Sequence, residues 1–543
     1  VRDASGGAVA GAEVSLREVD ENAIVTAVSN ELGLYEFLNV RPGRYTITVD
    51  KDGFAEAGAE NLHLAARGSL RADFNLQIAS RTDSAVVIAS VPLVNTENGT
   101  ISDSKSFEQI TRLPANYRAL TASPLPAILI FPGVQQDDRG RISIAGGMPA
   151  QTEFTVDGIS TLNVLGGGAI GLLYRSSDMV SPEALSEFRV SSIGNKAEFG
   201  QVNDVTVITK SGSNTPHGSL LWYHQNAALD ATTYGALTKQ AKVFNTFGGA
   251  FSGPLVLPHL YPGVNRTFFF VDYEGSRKPN TVLQQFSVPT AAMRAGDLNG
   301  LPGGAAVDPA TGAPFPGNAI PKDRISPVAK SLLANYYPLP NYPGLNQNYR
   351  RLTPQNTYAD LFNLRLDQIV TARQRLFGRW SFNSADYPDV PGILPAGRLP
   401  TLTNAFVAAH TFAIRPNISN EVRFGVTYLR QDENYPLQGK QVIATLGLQG
   451  LDLSNVGNSG GFPYINFSNG TDFAYTYKGR DTHLRSKTYQ SSDALSWSKG
   501  RHIMKFGAEA RRVSYLGTLH GGDGADDFGG LEFDSGVFSG NAF

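Results

Sequence analysis

Apolar and polar residues alternate along most of this chain with a period of two. In the first 78 residues Val14 and Leu16 alternate with polar neighbours, as do Tyr35 and Phe37, then Tyr45, Ile47 and Val49. One apolar face per segment predicts half-buried strands. Gly33 and Pro42-Gly43 supply the turns, because glycine takes backbone angles that other residues avoid. A small β-sandwich is the economical fold for residues 1–78. From Pro216 to Phe543 the strands lengthen. Phe362, Leu364 and Leu366 share one face, with Asn363, Arg365 and Asp367 on the other. Val422, Phe424, Val426 and Tyr428 oppose Glu421, Arg423, Gly425 and Thr427, and Met504, Phe506 and Ala508 oppose Lys505, Gly507 and Glu509. A charged face opposite an apolar one suits a wet lumen inside and lipid outside. A soluble sandwich gives the same alternation, so the pattern alone leaves both readings open.

Strand length and spacing separate them. The pattern places strands near Gly218–Gln225, Lys242–Ser252, Arg266–Glu274, Ala359–Gln368, Arg375–Ser384, Thr403–Arg415, Asn420–Gln431, Leu484–Ser498 and His502–Leu516. Several reach the 9–11 residues that cross a bilayer, beyond the ~5–6 usual in soluble sheets. Trp222, Tyr223, Tyr273, Trp380, Phe382 and Trp497 fall near strand ends, where interfacial girdles belong, although each also fits as a packing residue. Connections after the first, third, fifth and seventh strands are long, the longest being Gly275–Tyr358, whereas Ile369–Gln374, Pro416–Ser419 and Lys499–Arg501 are tight and Gly253–Asn265 is intermediate. Bacterial outer-membrane barrels have short periplasmic turns and long external loops.

Composition narrows the possibilities. A chain of 543 residues exceeds one compact core. A net charge of -2 supplies neither a basic field for nucleic acid nor an acidic tail. The absence of cysteine removes disulfides, thiolate zinc sites and thiol nucleophiles together. No apolar run approaches the ~20 residues of a spanning helix; the nearest, Pro126–Val134, reads as a buried core segment. The 57 glycines and 10% aromatics argue for a β protein with many reversals. A hydropathy scan reads soluble, as it does for a transmembrane barrel whose strands average to neutral. The chain opens at Val1 in a strand-like pattern, so it reads as starting late, and the missing signal peptide says nothing about export.

Chemistry is sparse. His63, His217, His224, His259, His410, His483, His502 and His520 are scattered without i, i+4 pairs beside carboxylates. No HExxH pattern occurs, and the carboxylates nominate no acid/base pair. Asp50-Lys51-Asp52-Gly53 begins like a calcium loop but lacks the later ligands and reads as a turn. Gly166-Gly167-Gly168 lacks the strand-to-helix context of a phosphate cradle and reads as a loop tip. The expectation is a non-enzyme with no cofactor and no metal.

Ordered motifs supply a resemblance. Asn30 to Phe37, Pro42-Gly43-Arg44-Tyr45 and Gly53-Phe54 resemble the carboxypeptidase regulatory-like domain, a non-catalytic module. Farther on, Ile142-Ser143-Ile144-Ala145-Gly146-Gly147, Thr152-Glu153-Phe154-Thr155-Val156-Asp157-Gly158-Ile159, Leu185 to Val190, Glu198-Phe199-Gly200, and Val207-Ile208-Thr209-Lys210-Ser211-Gly212-Ser213-Asn214 resemble, in family order, the plug of Oar-like TonB-dependent outer-membrane receptors. The family's usual arginine before the first plug glycine is Ala145 here, which puts any salt bridge of that arginine in doubt. Asp157-Gly158 also reads as a plain turn between strands.

The resemblance implies an all-β chain in three parts: a β-sandwich over 1–78, a coupling segment and mixed plug over 79–215, and part of a large antiparallel transmembrane barrel over 216–543. The coupling segment, or TonB box, would be Asp83-Ser84-Ala85-Val86-Val87-Ile88-Ala89, an extended run that an inner-membrane transducer of TonB type captures by strand addition. Taken alone it is an ordinary strand. Gly146, Gly147, Phe154, Asp157, Gly158, Lys210 and Gly212 are the plug-motif residues. A plug on the periplasmic side sends the first strand outward, so the long connections fall outside. Nine strands are far short of the ~22 of plugged transporters and leave an open edge in lipid, so a longer parent chain is expected. The implied function is energy-coupled transport of a scarce or large solute across the bacterial outer membrane, with outer-membrane lipid around the barrel and the N-terminal domain in the periplasm. A secreted adhesin or carbohydrate-binding β-protein is the alternative. The ligand is unknown from sequence.

Overall fold

The computed structural model describes the chain except residues 80–86, 89–98, 113–124, 138–141, 149–150, 162–179, 233–237, 240, 301–304, 390–391, 469–472, 475, 477–480, 501, 518–527 and 535–543. For residues 87–88, 125–126, 468 and 532–534 it gives the backbone path alone.

Strands β1 (Glu13–Glu18), β2 (Ile24–Val28), β3 (Gly43–Asp50) and β4 (Ala57–Leu64) form an antiparallel sheet in the order β2-β1-β3-β4. Val14, Leu16, Ile47 and Val49 are buried on its inner face with Phe74 and Leu76, as the alternation requires. Tyr35 and Phe37 do not become a strand. Their rings pack on this core instead, and the Tyr35 hydroxyl donates to the Ala72 carbonyl at 2.7 Å. Two aromatic side chains lying on one core thus imitate the period of a ladder.

In the middle of the chain β5 (Ile101–Ser106), β6 (Thr152–Val156), β7 (Ile159–Ser160), β8 (Leu185–Ile193) and β9 (Asn203–Thr209) make a mixed sheet in the order β7-β6-β9-β8-β5. Only β6 and β9 run parallel. The apolar run at Pro126–Val134 contributes a short 3-10 helix, Leu125–Ile130, and Ile128 and Phe131 bury themselves against Phe154 and Phe188.

Nine strands follow: β10 (His217–Asn226), β11 (Val243–Pro254), β12 (Thr267–Lys278), β13 (Thr357–Thr371), β14 (Gln374–Asp389), β15 (Gly397–Arg415), β16 (Ile418–Glu433), β17 (Thr482–Lys499) and β18 (His502–Gly517). They form one sheet in chain order, each antiparallel to the next. All nine coincide with the strands expected from the alternation. The outer ends of β14 and β15 run farther than expected, through Pro388 and Pro400, so the connection between them shrinks to residues 390–396. Both prolines lie past the last regular rung shared with the flanking strand, Tyr358↔Asp386 and Thr401↔Gln431. On its β13 side Pro388 lies at a local edge, where a missing N–H costs no ladder bond, whereas Pro400 interrupts a ladder with β16 that resumes at Arg398↔Asn434.

The sheet is inside-out relative to a soluble sandwich. Leu366 and Phe424 on the apolar face are 43% and 44% exposed, whereas Arg365, Asp367 and Arg379 on the charged face are 4%, 1% and 1% exposed. Burying the charged face and exposing the apolar one lowers free energy only where the surroundings are lipid.

The tight turns β13–β14, β15–β16 and β17–β18 share one end with the sandwich, whose Arg41, Glu18 and Asn39 reach Asp367, Arg375 and Ser419 beside those turns. The long connections occupy the other end, and they are folded. The one after β12 carries a hairpin of Thr281–Phe286 with Tyr349–Pro354 and a helix, α1 (Pro327–Asn335). The one after β16 carries α2 (Gly439–Leu446). Leu332, Tyr337, Val442, Leu446 and Phe462 join them in one apolar cluster. Cysteines at Thr311 and Pro436 in the full-length gene should therefore label from outside intact cells and one at Thr371 should not. Labelling at Thr371 with the other two silent would reverse the orientation.

Candidate functional site: the junction of plug, barrel and sandwich

Asp157 and Gly158 form the two-residue turn between β6 and β7, with φ of 49° and 80°. Positive φ at both central positions is the geometry that favours Asp-Gly in a hairpin, so the plain-turn reading holds. The turn also aims a carboxylate at the barrel. Asp157 Oδ1 accepts the Thr209 N–H at 3.0 Å and Oδ2 accepts the Thr209 hydroxyl at 2.8 Å. Across the lumen face Arg379 Nε stands 2.9 Å from Oδ2, and an Arg365 guanidinium nitrogen stands 3.4 Å from Oδ1. Arg365 also donates to the Thr209 carbonyl at 3.0 Å and clasps Asp367 with two bonds of 2.9 Å. Gly158 is required twice, by its φ and because a side chain there would collide with the Arg423 guanidinium.

Other strands meet the plug on the same concave face. Ser181 donates to Asp272 at 2.5 Å, the Ser160 N–H donates to Gln490 at 2.9 Å, Arg511 stands 3.2 Å from Glu153, and Lys505 pairs with Glu198. The remaining motif residues build the plug. Phe154 fills its core. Gly146 and Gly147 line an open cleft with Asn195, Lys196 and Asn203. The Lys210 ammonium lies 3.5 Å from the centre of the Phe107 ring, and burial lowers its pKa. A side chain at Gly212 would strike the carbonyls of Phe269 and Gly253, so glycine lets the chain pass into the barrel. Ala145 makes no ion pair; its N–H donates to Gly133. Here the plug presents a carboxylate, Asp157, to barrel arginines.

The sandwich completes the junction. Arg41 bridges Glu21 (3.2 Å) to Asp367 (2.7 Å), and Arg375 stands 2.7 Å from Glu18 and 3.6 Å from Glu21. The Ala66 N–H donates to Glu187 of the plug at 2.8 Å, and Arg67 stands 3.7 Å from Asp204. Asn214, in the passage from plug to barrel, donates its N–H to the Asp20 carbonyl and its side-chain amide to that of Glu21. A continuous run of alternating charge therefore links the plug (Asp157), the barrel (Arg365, Asp367) and the sandwich (Arg41, Glu21). Alternation marked Arg365, Asp367 and Arg423 as lumen-facing without giving them a role. Arg41, Glu21, Arg375 and Arg379 carried no local signal. Of the segment expected to couple to the transducer, Val87 and Ile88 pair in parallel with Ala57 and Gly58 at the edge of β4; Asp83, Ser84, Ala85, Val86 and Ala89 lie outside the described residues, as do Gly166-Gly167-Gly168. Among the described residues no three His, Asp or Glu side chains are grouped as a metal site needs.

Residues 208–543 match the outer membrane beta barrel domain, which covers more than half of the sequence. The chain belongs to that family. Residues 1–77 match the carboxypeptidase regulatory-like domain. The chain is similar to the TonB-dependent transporter Oar of Myxococcus xanthus, 24% identical over 271 residues that cover 47% of this chain and 25% of that protein. Solved structures with a similar fold include the outer-membrane transporter YddB of Escherichia coli, with 11% identity, a TM-score of 0.47, and coverage of 81% of this chain and 51% of that one. A mutant of the ferric enterobactin receptor PfeA of Pseudomonas aeruginosa has 14% identity, a TM-score of 0.41, and coverage of 76% and 49%. The match spans about half the length of these structures and a quarter of Oar. The expectations of a mostly-strand fold with an outer-membrane barrel and of an outer-membrane location agree with the matched domain families, and that of a TonB-dependent receptor agrees with the likeness to Oar.

Proposed function

We propose that this chain belongs to a transporter, not an enzyme, that moves a scarce or large solute such as a siderophore, oligosaccharide or peptide across the outer membrane, driven by a TonB-type inner-membrane transducer. The observation that carries this reading is a plug sheet held to the lumen face largely by ion pairs and hydrogen bonds. Such contacts release and re-form under an applied force, because water and new partners satisfy the freed groups. The outer membrane has no ATP, so the force comes from the other membrane. Val87–Ile88 supplies the handle: it already adds to a sheet edge through backbone bonds, the mode of capture a force-bearing partner needs.

Val87→Pro removes one backbone donor from that handle. It should abolish solute uptake while leaving surface binding nearly intact, measured on whichever iron, glycan or peptide source a deletion strain fails to grow on. Uptake at the normal rate in that variant, or in a strain lacking the transducer, would overturn the reading.

A further inference from the structure

On β16, β17 and β18 the outward face changes character towards the end opposite the sandwich. Along β16 it runs Val422, Phe424, Val426, Tyr428 and then Arg430. Along β18 it runs Met504, Phe506, Ala508, Ala510 and then Arg512. Along β17, read in the opposite direction, it runs Trp497, Leu495, Asp493, Ser491, Tyr489 and then Lys487 and Arg485; Asp493 within it accepts from the Asn420 amide at 2.5 Å. The first outward position beyond the lipid-facing stretch is thus cationic on three consecutive strands. The registers set Arg430 opposite Arg485 and Lys487 opposite Tyr428, with Arg512 opposite Tyr489 four residues nearer the sandwich; across the strands the patch is about 10 Å wide, from the ~4.8 Å spacing of strands. Tyr428 and Tyr489 stand among these cations, directly opposite Lys487 and Arg512, where an aromatic belt marks the water–lipid interface.

The patch is organised but not neutralised. Among the described residues its carboxylate is Asp432, 2% exposed, which holds Arg430 Nε at 2.7 Å, an Arg485 guanidinium nitrogen at 2.6 Å and His483 Nδ1 at 3.0 Å. One buried anion fixes two guanidinium forks, and the Arg430 side chain remains 51% exposed. Lys487 lies 5.7 Å from the centre of the Tyr428 ring, and Arg512 is exposed. Among the described residues four cations stand against one carboxylate, a surplus of positive charge facing away from the lumen at the end opposite the sandwich. A dissolved solute travels on the other face of this sheet.

We propose that Arg430, Arg485, Lys487 and Arg512 bind the phosphates of a phosphorylated lipid headgroup in the outer leaflet, with its acyl chains lying along the apolar stretch below. Guanidinium forks held by Asp432 match phosphate in paired, charge-assisted bonds. The proposal rests on the orientation given above, which cysteine labelling tests separately.

The full-length protein in detergent, mixed with bisphosphorylated lipid A and read by native mass spectrometry, tests it. Wild type should retain the lipid, and the variant Arg430→Gln/Lys487→Gln/Arg512→Gln should lose about tenfold in occupancy, as the loss of charge-assisted phosphate bonds predicts. Arg485→Lys, which keeps the charge, should retain most of it. Heat-modifiable gel mobility checks that each variant is folded. If the triple variant does not fold, wild type compared between bisphosphorylated and dephosphorylated lipid A decides alone. Equal retention of the dephosphorylated lipid, unchanged occupancy in the folded triple variant, or displacement by millimolar inorganic phosphate would overturn the proposal.

Discussion

Asp157→Asn in the full-length protein should release the plug sheet at a urea concentration that leaves the barrel intact. Among the described residues Asp157 is the carboxylate that Arg365 and Arg379 share, all three nearly inaccessible to water. Removing one partner of a buried pair leaves uncompensated charge and costs about 3–5 kcal/mol. Divided by a urea slope of about 1–3 kcal/mol per molar, the plug's unfolding midpoint falls on the order of 2 M. The amide keeps the volume of the turn and one acceptor for Thr209, so the loss reads out charge rather than shape. Proteolysis of the plug across a urea series gives the midpoint, and heat-modifiable gel mobility reports the barrel. Arg379→Gln added to Asp157→Asn should fall well short of the sum of the two single losses, because the pair is removed together. Strict additivity would mean that the two groups do not interact. An unshifted midpoint for Asp157→Asn would mean that the plug is held elsewhere.

The contrast with what the sequence showed has a physical basis. A spanning strand writes its surroundings into alternate residues, since lipid tolerates no charge and the lumen face needs polar partners. That local code made all nine strands and their faces legible, Phe362 outward and Arg365 inward among them. The external connection after β12 carries no such constraint. In the sequence it was only the longest connection between strands, yet it holds a hairpin and a helix beside which Val288 and Leu332 are buried. Tyr35 and Phe37 erred in the other direction, because period two is satisfied by any two side chains that reach one core. The junction was least legible. Asp157 was visible as a turn, but its barrel partners lie 208 and more positions away, and the Arg41–Asp367 pair spans 326 positions. Nothing in the neighbourhood of Arg41 distinguishes it from a solvated loop arginine.

That pair bears on what the sandwich does. Its core closes on itself, so deletion of residues 1–78 should still leave an inserted, heat-modifiable barrel. Its contacts with plug and barrel include polar ones to Glu187, Asp204, Asp367 and Arg375, however. The truncated protein should therefore keep its barrel but hold its plug less firmly, with the same urea assay showing the fall. Docking should also depend on pH. Burial is the largest influence on Glu21 and, with Glu18 and Asp367 beside it, outweighs the pull of Arg41 and Arg375, so its carboxyl is pushed up to about 7. A carboxyl whose docked pKa lies above its free value takes up a proton on docking. Its contribution is therefore fully present at low pH and is lost as pH rises from the ordinary glutamate range through about 7. One pKa unit corresponds to about 1.4 kcal/mol, so a fraction of this shift changes the docked population severalfold. Spin labels at Ser5 of the sandwich and Arg373 of the β13–β14 turn should report a longer, broader distance at pH 8.5 than at pH 5.5. Glu21→Gln, permanently neutral, should hold the short distance at both. A wild-type distance that does not change with pH, or a Glu21→Gln protein that separates as readily as wild type, would show that the sandwich docks independently of this carboxyl.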